Sequence, residues 1–261
     1  YPARRASPQA KTGASRATAT DAAARSLAWS APIVTPQIPA LGTVIFDMDG
    51  VVLDSQAAAN RALVEAAAAH GVRLNVSELE DLVGASEEQF WQYVKERYRL
   101  PEQVGHYAGS YDENREIASY DQTLLSPGLL ELLSELRAAG LQTALATSGS
   151  RKRMNAVIEL YGLAPWLDVA LCREDAAREK PAPDLFLAVV AALRVPPKTC
   201  LVIEDSARGI AAARAAGMFV LGFGAYCVSD LHLSEADGRI DGFSGLTAAE
   251  LEALWNVRDR R

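Results

Sequence analysis

The sequence predicts an α/β fold, a doubly wound parallel sheet with a small all-helical cap inserted after its first strand. Three observations carry this expectation. From residue 127 onward, short apolar runs alternate with helical segments, one after another. Three of the chain's apolar runs stop abruptly at polar or acidic groups, Asp47, Thr147 and Glu204. Residues 57–121, lying between the first run and the rest, carry helix signals and no strand signal.

The first strand is the run 43–46, Thr-Val-Ile-Phe. Runs this short, rich in β-branched and aromatic residues and bounded by turn residues, read as buried parallel strands. Asp47, Asp49 and Gly50 follow it. Chemistry in an open α/β sheet collects beyond the carboxyl ends of the strands. Two acids there are costly to desolvate unless a metal or a reaction uses them. Residues 56–70 are Ala-rich and helix-forming, and Gly71 stops them. Asp54 and Ser55 either orient the flap after the first strand or cap that helix, with the cap the favoured expectation. Capping boxes mark further helix starts at Ser77 and Ser86. Phe90, Trp91, Val94 and Tyr98 recur at helical spacing and form a packing face for the insertion. Pro101 begins another helical segment, running to about Tyr120.

The core then resumes. Helix 127–139 has Pro at its first turn and Gly140 after its end. Strand 143–146 leads to helix 150–161, and short strand 168–171 to helix 183–193. Strand 200–203 leads to helix 206–216, followed by strand 218–222. A last strand is expected near Ile240 and a helix over 247–255. The boundaries that follow are 41–56 and 122–261 for the α/β core and 57–121 for the cap.

Composition narrows the function. A net charge of −7 argues against nucleic acid or an anionic membrane as the main partner. No apolar run approaches the roughly 20 residues of a spanning helix. Cys172, Cys200 and Cys227 are odd in number and lie in or near apolar runs. Buried free thiols in a reducing compartment are therefore expected, not a disulfide frame. His70, His106 and His232 are the only histidines and form no zinc-spaced cluster, so a histidine-based triad is poorly supported. Residues 1–40 differ from the rest, with Arg4, Arg5, Lys11, Arg16 and Arg25 against Asp21 alone. That composition fits a disordered tail or an organelle transit peptide. The expected compartment is the cytoplasm, or a plastid or other organelle stroma if the tail is a transit peptide. A monomer is the expected state.

The polar strand ends should converge, because strand ends of one parallel sheet share an edge. They are Asp47 with Asp49, Thr147 with Ser148, and Glu204 with Asp205. Lys180 adds a cation from the loop before helix 183–193. Carboxylates suit a hard cation such as Mg²⁺. A lysine and hydroxyls beside it would complete a cradle for a phosphoryl group, whose charge must be neutralised as it transfers. The amides of Ser148, Gly149 and Ser150, opening a helix, could hold phosphate oxygens. An aspartate can act as the nucleophile.

These residues stand in four ordered motifs: Phe-Asp-Met-Asp-Gly-Val-Val-Leu-Asp-Ser, Ala-Leu-Ala-Thr-Ser, Glu-Lys-Pro-Ala-Pro-Asp-Leu-Phe and Val-Ile-Glu-Asp-Ser-Ala-Arg-Gly-Ile. In them the chain resembles the haloacid dehalogenase-like phosphohydrolases, in the branch of β-phosphoglucomutase and phosphoglycolate-phosphatase-like enzymes, over roughly residues 42–255. The resemblance implies a Rossmann-like core and a mobile cap that closes over substrate. It implies that Asp47 is the nucleophile and a Mg²⁺ ligand. Asp49 would be the general acid/base and lend its backbone carbonyl to the metal. Thr147 would bond the transferring phosphoryl, and Lys180 would bridge that group and Asp47. Asp205 would be the acidic metal ligand, with Glu204 a ligand, an acceptor behind it, or a solvated neighbour.

Dehalogenases of this superfamily lack the second aspartate, so Asp49 points to phosphate transfer. Mutases of the branch carry a His where this chain has Ala59, and a cap-loop Arg, three positions after a Gly, where counting from Gly84 gives Glu87. Both departures favour hydrolysis of a small phosphorylated metabolite, a sugar phosphate or a phosphoglycolate-like acid, over mutase chemistry. A catalytically idle binding or regulatory homologue would be marked by loss of Asp47 or Lys180, and neither is lost.

Overall fold

A computed structural model describes residues 40–74, 78, 87–107, 109–227 and 230–257. The expected tail up to residue 39, the helix starts at Ser77 and Ser86, and the loop at Gly84 lie outside the described residues. Among the described residues no helix is long and apolar enough to cross a membrane.

The strands are β1 (Thr43–Phe46), β2 (Gln142–Ala146), β3 (Val169–Leu171), β4 (Cys200–Glu204), β5 (Phe219–Phe223) and β6 (Gly238–Ile240). They form one sheet in the order β3-β2-β1-β4-β5-β6, with every pairing parallel. β1 is the central strand. Phe46 stands level with Leu145 of β2 and with Ile203 of β4. The winding reverses between β1 and β4, and a crevice opens at such a switch point, outside the carboxyl ends of the strands.

The helices are α1 (Gln56–Ala69), α2 (Glu87–Tyr98), α3 (Val104–Tyr107) and α4 (Glu113–Ala118), then α5 (Leu129–Ala138), α6 (Arg151–Leu160), α7 (Asp184–Leu193), α8 (Ala207–Ala215) and α9 (Ala248–Asn256). The pleat of β1 explains the two-sided cover. Val44 and Phe46 pack into one cluster with Leu132 and Leu136 of α5, Val157 of α6 and Trp255 of α9. Ile45 points the other way, onto Phe186 and Val189 of α7 and Ile210 and Ala213 of α8. Every residue of β1 is buried, as a strand covered on both faces must be.

Residues 56–124 hold only helices and turns among those described. Phe90, Trp91 and Val94 are buried against Ala66, Ala67, Val72 and Tyr107, with Tyr98 packed alongside, so the aromatic stripe is a packing face. The single helical segment expected over 101–120 is broken instead. Gly109 takes a positive φ of 103°, and Asp112 starts a new helix by accepting a bond from the Asn114 amide. A side-chain cap competes there with helix continuation and wins. Cys172 and Cys200 are buried and Cys227 is partly exposed, and none is in a disulfide.

Candidate active site

The carboxyl ends of β1 and β4 bring four charged side chains together. Asp47 follows β1, and its amide continues the ladder onto the Ile203 carbonyl at 3.0 Å. Glu204 ends β4 and is 1% exposed, so it is not a solvated neighbour. Lys180 arrives from the loop before α7. Its ammonium donates to Asp47 Oδ1 at 2.6 Å, to Glu204 Oε2 at 2.8 Å and to the Ala146 carbonyl at 3.0 Å. It also sits 4.8 Å from the centroid of Phe186. Arg208, in the first turn of α8, donates to the Lys180 carbonyl and fixes that loop from behind. Glu204 Oε1 accepts from the amide and hydroxyl of Ser206, the residue that caps α8.

Oxygens of Asp47, Glu204 and Asp205 lie within 4.8 Å of one another. Gly50 is what lets Asp205 come so close. Its φ is +73°, and a Cβ on it would stand 2.0 Å from Asp205 Oδ2. Any side chain there would be strained and would collide with the carboxylate.

Electrostatics report how crowded this corner is. Burial first, and then the charge of Glu204, push Asp47 up to about 8 against the pull of Lys180. Burial likewise holds Asp205 well above the usual carboxylate range. Lys180 is held above its ordinary value, because Asp47 and Glu204 overcome the cost of burying its charge. Three carboxylates facing one ammonium leave a surplus of negative charge in a desolvated site. An all-oxygen set with that surplus fits one hard divalent cation such as Mg²⁺.

A carboxyl raised on folding stabilises fully below its unfolded value, and that stability is lost as pH rises toward its folded value. For Asp47 the window runs from 3.8 to about 8. The metal-free protein is therefore expected to lose melting temperature across that window, and added magnesium to restore it most at the upper end. Melts with and without magnesium across the range check this. A magnesium effect that is flat with pH would refute it.

Thr147 and the loop after β2 complete the floor. Thr147 is 1% exposed, and its amide donates to the Leu171 carbonyl at 3.0 Å. Its Oγ1 accepts from the Gly149 amide at 2.8 Å, so that amide is engaged within the loop and not turned to the crevice. Ser148 is exposed. Ser150 caps α6 by accepting from the Arg153 amide at 3.1 Å. A Cβ on Gly149 would lie 3.1 Å from Thr147 Oγ1 and 3.8 Å from Asp49 Oδ2, so Gly149 separates those two groups.

Asp49 finds its partners outside the lysine corner. Its Oδ1 accepts from Ser55 Oγ at 2.6 Å and pairs with the Arg153 guanidinium. The expectation that Ser55 caps α1 is corrected here. Ser55 occupies the N-cap position in a helical conformation without a side-chain cap bond, and its hydroxyl serves Asp49 instead. A carboxylate acceptor gives a stronger hydrogen bond than a helix-end amide partner. The sequence does not single out Arg153 or Arg208 as parts of the site, and for Ser55 the structure favours the alternative of orienting the segment after β1 over the cap. Ser55 and Arg208 do fall inside the quoted motifs, whereas Arg153 has no such signal.

Known proteins share the sequence and the fold of this chain. The chain is 33% identical over 196 residues to the Protein SUPPRESSOR OF QUENCHING 1, chloroplastic, of Arabidopsis thaliana, matching 72% of this chain and 18% of that protein's length. It is 32% identical over 183 residues to a probable pseudouridine-5'-phosphatase of Drosophila melanogaster, matching 68% of this chain and 79% of the relative. Its fold is similar to a crystal structure of β-phosphoglucomutase from Clostridium difficile, at 24% identity and a TM-score of 0.70, over 85% of this chain and all of that one. The model of the haloacid dehalogenase-like hydrolases matches residues 41–217, from just before β1 to just past α8. That span holds the ends of β1, β2 and β4 and Lys180, and the chain belongs to the haloacid dehalogenase-like hydrolase family.

Proposed function

We propose that the protein is a Mg²⁺-dependent phosphoric monoester hydrolase, acting on a small phosphorylated metabolite through an aspartyl-phosphate on Asp47. The observation that carries this reading is the Lys180 ammonium, buried and bonded to both Asp47 and Glu204 at the ends of β1 and β4. An ammonium so held neutralises charge where a phosphoryl group would transfer. Asp47 attacks phosphorus and takes the phosphoryl group as the ester oxygen leaves. Asp49 gives that oxygen its proton, then removes a proton from the water that hydrolyses the acyl phosphate. Thr147 and Lys180 hold the oxygens of the transferring group, with Ser148 and Gly149 shaping the loop around it. Asp47, Asp205, the Asp49 carbonyl and Glu204 would hold Mg²⁺, which would supply charge neutralisation there. Residues 57–121 act as the cap, excluding bulk water as they close.

Hydrolysis is favoured over mutase chemistry by Ala59 and Glu87, which stand where mutases of the branch carry His and Arg. An acid at position 87 would repel a second phosphate. The phosphatase name of the Drosophila relative supports a phosphorylated sugar or nucleoside-type substrate. The basic, acid-poor residues 1–40 and the chloroplastic relative support an organelle stroma as the compartment. We take the protein to act as a monomer.

The test is product identity. With magnesium, a panel of sugar phosphates is expected to yield free inorganic phosphate. β-Glucose 1-phosphate given with its bisphosphate activator is expected to yield phosphate and not accumulate glucose 6-phosphate. Accumulation of the 6-phosphate would overturn the hydrolase reading in favour of the mutase one.

A further inference from the structure

Asp49 is gripped from two directions by groups on different elements. Ser55 comes from the start of α1, and Arg153 from the first turn of α6, 104 residues beyond Asp49 in the chain. Arg153 is itself anchored. Its Nε donates to the Tyr120 hydroxyl at 2.8 Å and lies 3.4 Å from Glu116 Oε1. The Glu116 side chain is 0% exposed and accepts from Tyr120 at 2.6 Å and from Tyr111 as well. Burial pushes the Glu116 carboxyl up, against the pull of Arg153.

The same helix pair is tied twice more, by Lys152 to Asn114 and by Ser150 to Glu113. So α4, the last helix of the insertion, is docked on the helix that springs from the Thr147-Ser148-Gly149 loop. Arg153 cannot swing away without leaving a buried carboxylate unpaired, which makes it a fixed post and not a free surface arginine.

We propose that Arg153 is a positioning residue for Asp49. Held by Glu116 and Tyr120, it pins Oδ1, so that Oδ2, which lies on the Gly149 and Thr147 side, is aimed to pass the proton. The aim of the acid is thereby set by the root of the insertion. This rests on the reading of Asp49 as general acid/base given above.

Leaving-group dependence separates positioning from simple structural support. p-Nitrophenolate departs as a stable anion without a proton, whereas an alkyl leaving group needs one. kcat/KM with magnesium is read for p-nitrophenyl phosphate and for glycerol 2-phosphate. Arg153→Met is expected to lower the glycerol 2-phosphate value about tenfold or more and the p-nitrophenyl phosphate value much less. Asp49→Asn should show the same pattern more strongly, and Arg153→Met should add nothing to it. Because Arg153→Met strands the Glu116 charge, Arg153→Met/Glu116→Gln removes both charges and must keep the same pattern. If Asp49→Asn lowers both substrates equally, the acid/base reading fails. If Asp49→Asn discriminates but both Arg153 variants lower the two substrates equally, or their losses add to those of Asp49→Asn, the Arg153 proposal alone is overturned.

Discussion

Replacing Asp47 with Asn is expected to reduce phosphate release by about 10⁴-fold or more while leaving the protein folded. The amide is nearly the same size and keeps an oxygen that can accept from Lys180, now 2.6 Å away. It cannot attack phosphorus, so the loss is of the nucleophile and not of the site's shape. Stability should move the other way. Burial and Glu204 push the Asp47 carboxyl up to about 8, which means its charged form is disfavoured in the folded chain. A neutral Asn escapes that cost, so the metal-free variant should melt no lower than the parent at alkaline pH, where the parent's Asp47 is ionised. Phosphate assays and melts on one preparation give both readings. Rates within tenfold of the parent would remove Asp47 from the chemistry. A collapse in melting temperature would mean that the lost activity reported unfolding.

The contrast between Asp47 and Arg153 shows what the sequence could and could not disclose. Asp47 ends a run of four β-branched and aromatic residues, and a strand end has one direction in which to present its next side chain. Three such ends in one parallel sheet must share an edge, so Asp47, Thr147 and Glu204 could be grouped from the sequence alone, whereas Lys180, on the loop before α7, was added by its motif. The strand and helix boundaries after residue 127 came within a residue or two, because capping residues such as Ser150, Ser206 and Thr247 announce themselves locally. Arg153 sits in a polar first turn, and its partners Asp49 and Glu116 lie on two other elements. No periodicity encodes a contact of that kind. Ser55 misled for a related reason. Its position before a helix predicts a cap, and only the fold reveals a nearby carboxylate competing for the hydroxyl. Gly109 and Asp112 broke the segment over 101–120 because local turn chemistry outweighed a weak helical pattern.

Lys180→Met is expected to cost both activity and stability, and magnesium should separate the two losses. Methionine can fill the same buried channel and lie on Phe186, so packing is largely kept. What disappears is the ammonium bonded to Asp47 and Glu204, both of which are buried. Breaking a buried pair by deleting one partner costs about 3–5 kcal/mol when the other charge stays behind. Here the carboxyls can escape part of that cost by taking up protons, since burial already holds Asp47 and Asp205 above the usual carboxylate range. Destabilisation should therefore be mild at acidic pH and grow as pH rises through about 8. A bound divalent cation offsets the same negative charge, so magnesium should recover much of the lost melting temperature. It should not recover turnover, expected to stay down by about 10³-fold, because no donor then spans the nucleophile and the transferring oxygens. The decisive measurement is phosphate release at a magnesium concentration that has already restored the melt. Activity returning together with stability would show that Lys180 only balances charge in the fold. Stability returning without activity assigns the ammonium to the phosphoryl group itself.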